Sequence, residues 1–382
     1  MKWETYKLKQ LCSEIVDCVN KTAPTSDVPT PYKMLRTSDV RDGKINLENL
    51  NCVTKEVYEK WTRRGKLQKG DVIFTREAPL GEVGLVREEK NYFLGQRLVL
   101  FRANNKMCDG SFLMYSLLWH DNKQAIISKG VGSTVAHLRV PECENIEIKV
   151  PDLDVQHRIA DILSAYDDLI ENNQKQIKLL EEAAQRFYKE WFVNLRFPGH
   201  ENTKIVDGVP EEWRKFPLEE IAPVVTGKKD ANYGDKGGNY PFFTCSQETI
   251  TAPGYSFDTS AVILAGNGDF NVKLYRGKFE AYQRTYVLAP FDHSNLFNLY
   301  FTVQNNMEAL AKGASGSTIK FLTKGMLQKI LVLTADKKIL DKFNDYEENI
   351  QQKVEALKKQ VEDLTEIRNR LLPKLMSGEV EV

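Results

Sequence analysis

From Ile159 onward, apolar side chains return at short, regular steps: Ile162, Tyr166, Leu169 with Ile170, Ile177, Leu180, Ala184, Phe187 and Trp191. A second series keeps a similar step through Phe343, Tyr346, Ile350, Val354, Leu357, Val361, Leu364, Ile367, Leu371 and Leu375. Alternating steps of three and four hold one stripe on one helical face, the pattern of a coiled-coil seam. About 40 residues at ~1.5 Å each predict rods of roughly 60 Å. Pro151-Asp152 opens the first helix and Pro198-Gly199 closes it, while Ser377-Gly378 closes the second. Neither stripe is stable in water, so the two helices are expected to pack on each other. A whole globular segment separates them in the chain, which favours antiparallel packing. The expected seam or partner-docking positions are Ile159, Ile162, Tyr166, Ile170, Ile177, Leu180 and Phe187 in the first helix. In the second they are Phe343, Tyr346, Ile350, Leu357, Leu364 and Leu371.

The helices belong to an internal repeat. Gly132-Ser133-Thr134-Val135-Ala136-His137-Leu138 returns as Gly316-Ser317-Thr318-Ile319-Lys320-Phe321-Leu322, an offset of 184. The same offset carries Ile159, Ile162, Ile170, Ile177, Leu180 and Phe187 onto Phe343, Tyr346, Val354, Val361, Leu364 and Leu371. Each half also opens alike: Trp3, Tyr6, Leu8 and Leu11 return as Trp213, Phe216, Leu218 and Ile221, at an offset of 210. The shrinking offset places the divergence inside the globular portions. Those portions read as mixed β with some helix. Asp71-Val72-Ile73-Phe74 and Leu98-Val99-Leu100-Phe101 are predicted strands, matched by Ala261-Val262-Ile263-Leu264 and Thr285-Tyr286-Val287-Leu288. Phe112 to His120 and Phe297 to Met307 are expected short helices, and 146–150 and 330–333 the final strands. The expected fold is α+β with a pseudo-twofold repeat: two mixed globular domains joined by two long antiparallel coiled-coil helices. The boundaries fall at 1–150, 151–198, 199–335 and 336–382.

Composition fits two ordinary folded domains: 382 residues, 42% hydrophobic and 10% aromatic. No apolar run approaches the ~20 residues of a membrane span. The first residues have no signal-peptide core, and the six scattered cysteines lack zinc-type spacing. A cytoplasmic protein with reduced thiols is expected. The net charge of zero is an average: +5 over 1–150, −3 over 151–200, 0 over 201–335 and −2 over 336–382. Counted from 221, the second globular part is +3. Mildly basic globular parts permit phosphate binding without requiring it.

Several runs resemble one family. Val150-Pro151-Asp152-Leu153-Asp154-Val155-Gln156-His157-Arg158-Ile159-Ala160 resembles the opening of the conserved helix in type I restriction–modification specificity subunits. Phe192-Val193-Asn194-Leu195-Arg196-Phe197-Pro198-Gly199, followed by Val209-Pro210-Glu211-Glu212-Trp213, is similar to that family's bridge between domains. Leu371-Leu372-Pro373-Lys374-Leu375-Met376-Ser377-Gly378-Glu379-Val380 resembles its C-terminal ending. The second helix departs at Thr334-Ala335-Asp336-Lys337-Lys338, which lacks the Pro and Gln of the first. The resemblance implies two target-recognition domains, each reading half of a split double-stranded DNA site, with helices that set the spacer. It also implies docking of two methyltransferase subunits, joined by endonuclease/translocase subunits. S-adenosylmethionine, Mg and ATP would then belong to the partners, with no catalytic residue, metal or cofactor in this chain.

The residues themselves agree with catalytic silence. Adenine methylation needs an Asn/Asp-Pro-Pro-aromatic loop, and no Pro-Pro occurs. The phosphate loop Gly-x-x-x-x-Gly-Lys-Ser/Thr is missing as well. Gly266-Asn267-Gly268 and Gly130-Val131-Gly132 read as turns, and Asp152 as a charge at a helix N-terminus. The five histidines show no ligand spacing.

Candidate DNA contacts fall in loops. Arg63, Arg64 and Lys66, around Trp61 and Gly65, offer forked donors for guanine edges or phosphates; a solvated basic turn is the alternative. Arg76 follows a predicted strand, as do Asn267 and Lys273 in the second half, with Arg276 beyond them. Lys228 and Lys229 open a Gly-rich basic loop. Ser133 and Thr134, and Ser317, Thr318 and Lys320, place hydroxyls beside positive charge, where a phosphate contact and a structural turn both fit. Two other functions share these features: a scaffold joining two protein-binding domains without DNA, and an orphan or inhibitory methyltransferase-docking subunit.

Overall fold

A computed structural model describes residues 2–132, 135–316 and 320–382. The first long helix spans Leu153–Tyr188 and runs into a π-turn over Lys189–Val193; the second spans Lys337–Ser377. Both begin the same way despite their different sequences. The Asp152 carbonyl accepts from the amides of Val155 and Gln156, and the Asp336 carbonyl from those of Ile339 and Leu340. The Asp336 carboxylate adds a bond from the Ile339 amide at 3.1 Å, replacing the Pro and Gln of the first start.

The chain divides into two compact units, each discontinuous in sequence: Met1–Gln174 with Lys359–Val382, and Lys175–Lys358. In the first unit, Glu4–Lys7 pairs antiparallel with Glu147–Val150 beside the start of the first helix. Its main sheet has the strand order Cys12–Asp17, Leu98–Ala103, Val72–Thr75, Val83–Leu85. A separate sheet has the order Asn51–Cys52, Lys33–Leu35, Tyr92–Leu94. The core under the main sheet gathers Leu8, Phe74, Phe101, Phe112 and Tyr115 with Ile159 and Leu163 of the first helix. Leu375 and Met376 from the end of the second helix complete it, with Leu371 and Leu372 packed alongside.

The second unit repeats this plan strand for strand. Arg214–Pro217 pairs with Leu331–Thr334, and the register Glu4↔Val150 becomes Arg214↔Thr334. The pairing of Val72 with Phe101 becomes Val262 with Leu288. Offsets visible in the sequence are therefore offsets of hydrogen-bond register. The sheet order is Val224–Thr226, Thr285–Leu288, Phe257–Ala265, Val272–Ala281, extended by Tyr240–Phe243 and Ile250–Ala252. Those last two strands answer to the first unit's separate sheet. Phe242 and Phe243 run parallel to Glu280 and Ala281 as Met34 and Leu35 do to Phe93 and Leu94, and Phe242 opposes Ile250 as Met34 opposes Asn51. The difference is that Val272–Ala281 is one continuous strand where the first unit has two, Val83–Leu85 and Tyr92–Leu94.

The helices run antiparallel within each unit, but they are fastened differently. In the first unit the buried carboxylate of Asp167 accepts from the Tyr115 hydroxyl at 2.6 Å and pairs with Arg368 at 2.6 Å. Asn173 donates to Gln360 at 3.1 Å. In the second unit the contact is aromatic: Phe187 stacks on Phe343 at 5.5 Å, and Phe192 packs against Phe343 and Trp213. Lys358 and Glu181 form an exposed ion pair there.

The seam departs from the periodic reading in places. Leu163, outside the predicted stripe, is fully buried, while the predicted Tyr346 is 57% exposed, its ring edge resting on Phe187 and Trp191. Ile177, Leu180 and Leu364 are only half-buried.

Glu347 occupies the position of the second helix that Leu163 holds in the first, by the offset of 184. It is fully buried, and neither carboxylate oxygen has a hydrogen-bond partner. Burial pushes its pKa up to about 8, from 4.5. Between those values the folded protein keeps a proton that the unfolded chain releases, so stability falls as pH rises from 5 toward 8. Glu347→Leu should raise the melting temperature by about 5 °C at pH 8, and by less at pH 5. Calorimetry across that range checks it; a wild-type melting temperature level from pH 5 to pH 8 would show that Glu347 is not held protonated.

Candidate nucleic-acid interface

Each unit brings together segments that are distant in sequence at the end of its main sheet. In the first unit the chain leaves Val72–Thr75 through Arg76 and Glu77, and the turn around Gly132 lies beside it. Val131 and His137 exchange backbone hydrogen bonds at 3.0 Å, closing that turn, and the Leu138 amide donates to the Arg76 carbonyl at 3.0 Å. The second unit repeats each bond. Ser315 and Phe321 close the turn around Gly316, and the Leu322 amide donates to the Gly266 carbonyl at 2.8 Å. Gly132 and Gly316 both have positive φ, at 128° and 108°. The repeated glycine is thus a backbone requirement of the turn. Ser133, Thr134, Ser317 and Thr318 lie outside the described residues.

The remaining first-unit candidates sit next to this assembly. Lys60 and Trp61 end a short helix, Lys55–Trp61, and the turn that follows carries Arg63, Arg64 and Lys66, all exposed. Arg64 donates to the Cys18 carbonyl at 3.0 Å, and Trp61 Nε1 to the Lys21 carbonyl at 3.3 Å. This basic turn is thereby tied to the segment leaving Cys12–Asp17. Arg76 is different. It is 15% exposed, pairs with Asp17 at 3.1 Å and donates to the Leu138 carbonyl at 3.2 Å. Its guanidinium braces the assembly from below, while Arg63 and Lys66 face solvent.

In the second unit Lys228 is exposed and Lys229 half-buried, with its ammonium 4.4 Å from the centre of the Tyr233 ring. Asn267 bridges to Phe321 across the turn. Lys320 is exposed on the same turn. Lys273 is turned inward: Nζ donates to the Ser246 carbonyl at 2.8 Å, and burial lowers its pKa. Arg276 lies elsewhere, paired with Glu348 of the second helix at 2.7 Å and lying over the Phe297 ring. It fastens the sheet to the helix. A half-open concavity of about 310 Å³ is lined by Thr226, Gly266, Gln283, Arg284, Tyr286, Phe321 and Leu322. Gly266 is required there, because a Cβ would stand 2.3 Å from the Arg284 carbonyl oxygen.

Two residues of this surface escape a reading by charge runs. Arg97 and Arg284 stand singly, each after a glutamine and before a buried strand. The signal available was the repeat itself: Gln96-Arg97-Leu98 against Gln283-Arg284-Thr285.

Among the described residues, no cluster of three His, Cys, Asp or Glu is arranged to hold a metal, and no helix is long and apolar enough to cross a membrane. The surface is one of loop backbone, guanidinium, ammonium and amide groups, suited to polyanion contact.

A family model described as the type I restriction modification DNA specificity domain matches residues 1–182 and again 210–363. The type I restriction enzyme EcoDI specificity subunit of Escherichia coli is 37% identical over 176 residues, which are 45% of this chain and 39% of that protein. The match thus spans well under half of that relative's length. The MjaIX specificity subunit of Methanocaldococcus jannaschii is 25% identical over 348 residues, covering 82% of this chain and 78% of that protein. The type I restriction-modification S subunit from M. genitalium shares the fold, with a TM-score of 0.66 at 18% identity over 98% of this chain and 96% of that one. The two matched segments take in most of both halves of the repeat, and the chain belongs to the type I restriction modification DNA specificity domain family.

Proposed function

We propose that this chain is the DNA-recognition subunit of a type I restriction–modification complex, each unit reading one half of a bipartite duplex site. One observation carries the reading: a single exposed loop assembly is built twice, with the same backbone hydrogen bonds, at the ends of two sheets that share strand register. A duplicated reader with diverged loops suits two different half-sites. The mildly basic globular parts neutralise phosphate charge and release counterions, so affinity falls steeply with salt. Base choice comes from side chains around that anchor.

The long helices supply the separation between the half-sites. Their unpaired apolar side chains, Leu169, Leu179 and Ile367, all about half exposed or more, are places for two methyltransferase subunits to dock. The methyl donor and the chemistry come with those subunits, and endonuclease subunits join them with Mg and ATP. The role of this chain is to bind and orient DNA in the cytoplasm.

The deciding experiment is single-molecule methylation sequencing of a naive bacterial genome expressing this chain with its neighbouring methyltransferase subunit. A bipartite methylated motif, absent without this chain, is expected. A stable complex that adds no methylation would overturn the reading. Arg63→Ala with Arg64→Ala should weaken discrimination at one half-site only, by about tenfold; loss at both half-sites, or at neither, would remove the basic turn from the interface. Deleting one heptad from the first helix between Ile170 and Ala184, with a matching heptad from the second, removes roughly 10 Å of rod. The unread spacer should shorten by about 3 base pairs, or assembly should fail. Unchanged spacing with full activity would show that the helices do not measure it.

A further inference from the structure

Gln96-Arg97 and Gln283-Arg284 hold the same place in the repeat, directly before the strands Leu98–Ala103 and Thr285–Leu288. All four side chains are exposed, so core packing does not select them. Backbone geometry does not select them either. The Arg97 carbonyl accepts from the Arg76 amide at 2.8 Å and the Arg284 carbonyl from the Gly266 amide at 2.9 Å, a role any residue fills. Arg97 has a positive φ of 68°, whereas Arg284 is not among the residues with one. A shared turn conformation is therefore not the reason for the shared arginine.

The side chains show a common arrangement. Gln96 Oε1 accepts from the Thr22 hydroxyl at 3.1 Å, and Gln283 Nε2 donates to Asp230 Oδ1 at 2.7 Å. Each glutamine thus ties the strand start to the loop that follows the first strand of its main sheet. Each arginine stands between the post-strand loop and the glycine turn. Arg284 lines the concavity beside Phe321, and Arg97 meets Glu77, whose backbone bridges to His137. One difference breaks the symmetry. Arg97 is paired with Glu77 at 3.1 Å, while the place of Glu77 is taken by Asn267 in the second unit, where Arg284 has no ion-pair partner among the described residues.

We propose that Arg97 and Arg284 are matched phosphate-binding arginines, one per half-site, positioned by Gln96 and Gln283, and that Glu77 occupies Arg97 until DNA displaces it. This rests on the reading of the chain as a DNA-recognition subunit. The identity of the residue in two units that face different sequences assigns it to the backbone: a contact common to both readers cannot tell their half-sites apart. A guanidinium forks onto phosphate oxygens, and the half-buried Glu77 carboxylate beside Arg97 competes for the same donors.

The test uses the full chain assembled with its methyltransferase subunit. Two short duplexes serve as probes, one carrying the methylated site found by sequencing and one with that site scrambled. Arg97→Ala and Arg284→Ala should each weaken binding about five- to tenfold on both duplexes, and each should reduce the slope of log affinity against log salt by about 1. Lysine at either position should restore much of the slope. Glu77→Gln should tighten binding several-fold on both duplexes. Melting temperatures of the arginine variants should stay within about 1 °C of wild type, since both arginine side chains are exposed. Wild-type affinity and slope in both alanine variants would overturn the proposal and leave DNA recognition standing. Loss confined to the cognate duplex would overturn the phosphate assignment. A wild-type complex that binds neither duplex would instead sink the functional reading beneath it.

Discussion

The structure depends on the antiparallel pairing of two amphipathic helices whose apolar stripes cannot stay in water. Each unit is closed by the start of one helix and the end of the other. In the first, Ile159 and Leu163 share a core with Leu375 and Met376, more than two hundred residues later. In the second, Ile339, Leu340 and Phe343 share one with Tyr188, Trp191 and Phe192. Each such side chain contributes on the order of 1.5–3 kcal/mol when buried. The first unit's sheet core is therefore completed by both helices, whereas the core under the second unit's sheet is drawn from residues 218–332 alone and the helices form a separate cluster beside it. In the first unit the sheet is seated on the side chains that pair the helices. In the second the short helix Leu296–Gly313 stands between them, its Leu299 and Val303 facing the sheet core and its Phe297 and Phe301 the paired helices.

Apolar stripes alone tolerate sliding, and the two units limit it by different physics. Asp167, buried and held by Tyr115 and Arg368, would lose its partners if one helix moved a turn along the other. A stranded buried carboxylate costs about 3–5 kcal/mol, so this network specifies register. The second unit uses interlocked rings around Phe343, where shape sets the position. Glu347 is the exception. It is buried without a hydrogen-bond partner where the first helix carries Leu163, and that burial raises its pKa and so favours the neutral form.

Much of this was legible in the sequence because periodic burial leaves a periodic trace. The helix run ending at Ser377 and the strands at 72–75, 98–103, 257–265 and 285–288 stand where the apolar pattern put them. The repeat offsets translated into strand register because paired central strands cannot slip by one residue without turning the core outward. Other features left no such trace. Leu163 goes unread because the stripe is taken through its neighbour Ile162, which fits the steps from Ile159 and to Tyr166 equally well. Arg76 reads as an exposed loop charge, since nothing local announces Asp17 or the Leu138 carbonyl as its partners. Arg276 likewise reads as a loop or strand charge, although Glu348 from the distant helix holds it. Isolated arginines after a glutamine carry no compositional weight; only the comparison of the halves reveals them.

The same comparison separates what the two units share from what differs between them. Shared between the units are the glycine turn, the bonds joining it to the post-strand loop and the Gln-Arg start of the next strand. Under the proposed function, these shared features would anchor DNA in a common pose, and discrimination would reside in what differs. In the first unit that is the short helix Lys55–Trp61 and the basic turn after it. In the second it is the continuous strand Val272–Ala281, with the loop that begins at Lys228. Tight backbone contacts at Gly227 and Gly266 fix that loop and the concavity beside it, where added Cβ atoms would stand 1.9 Å and 2.3 Å from carbonyl oxygens. Loops can be lengthened or replaced without disturbing the register of the strands that carry them, which is how the two units keep one frame while their loops diverge.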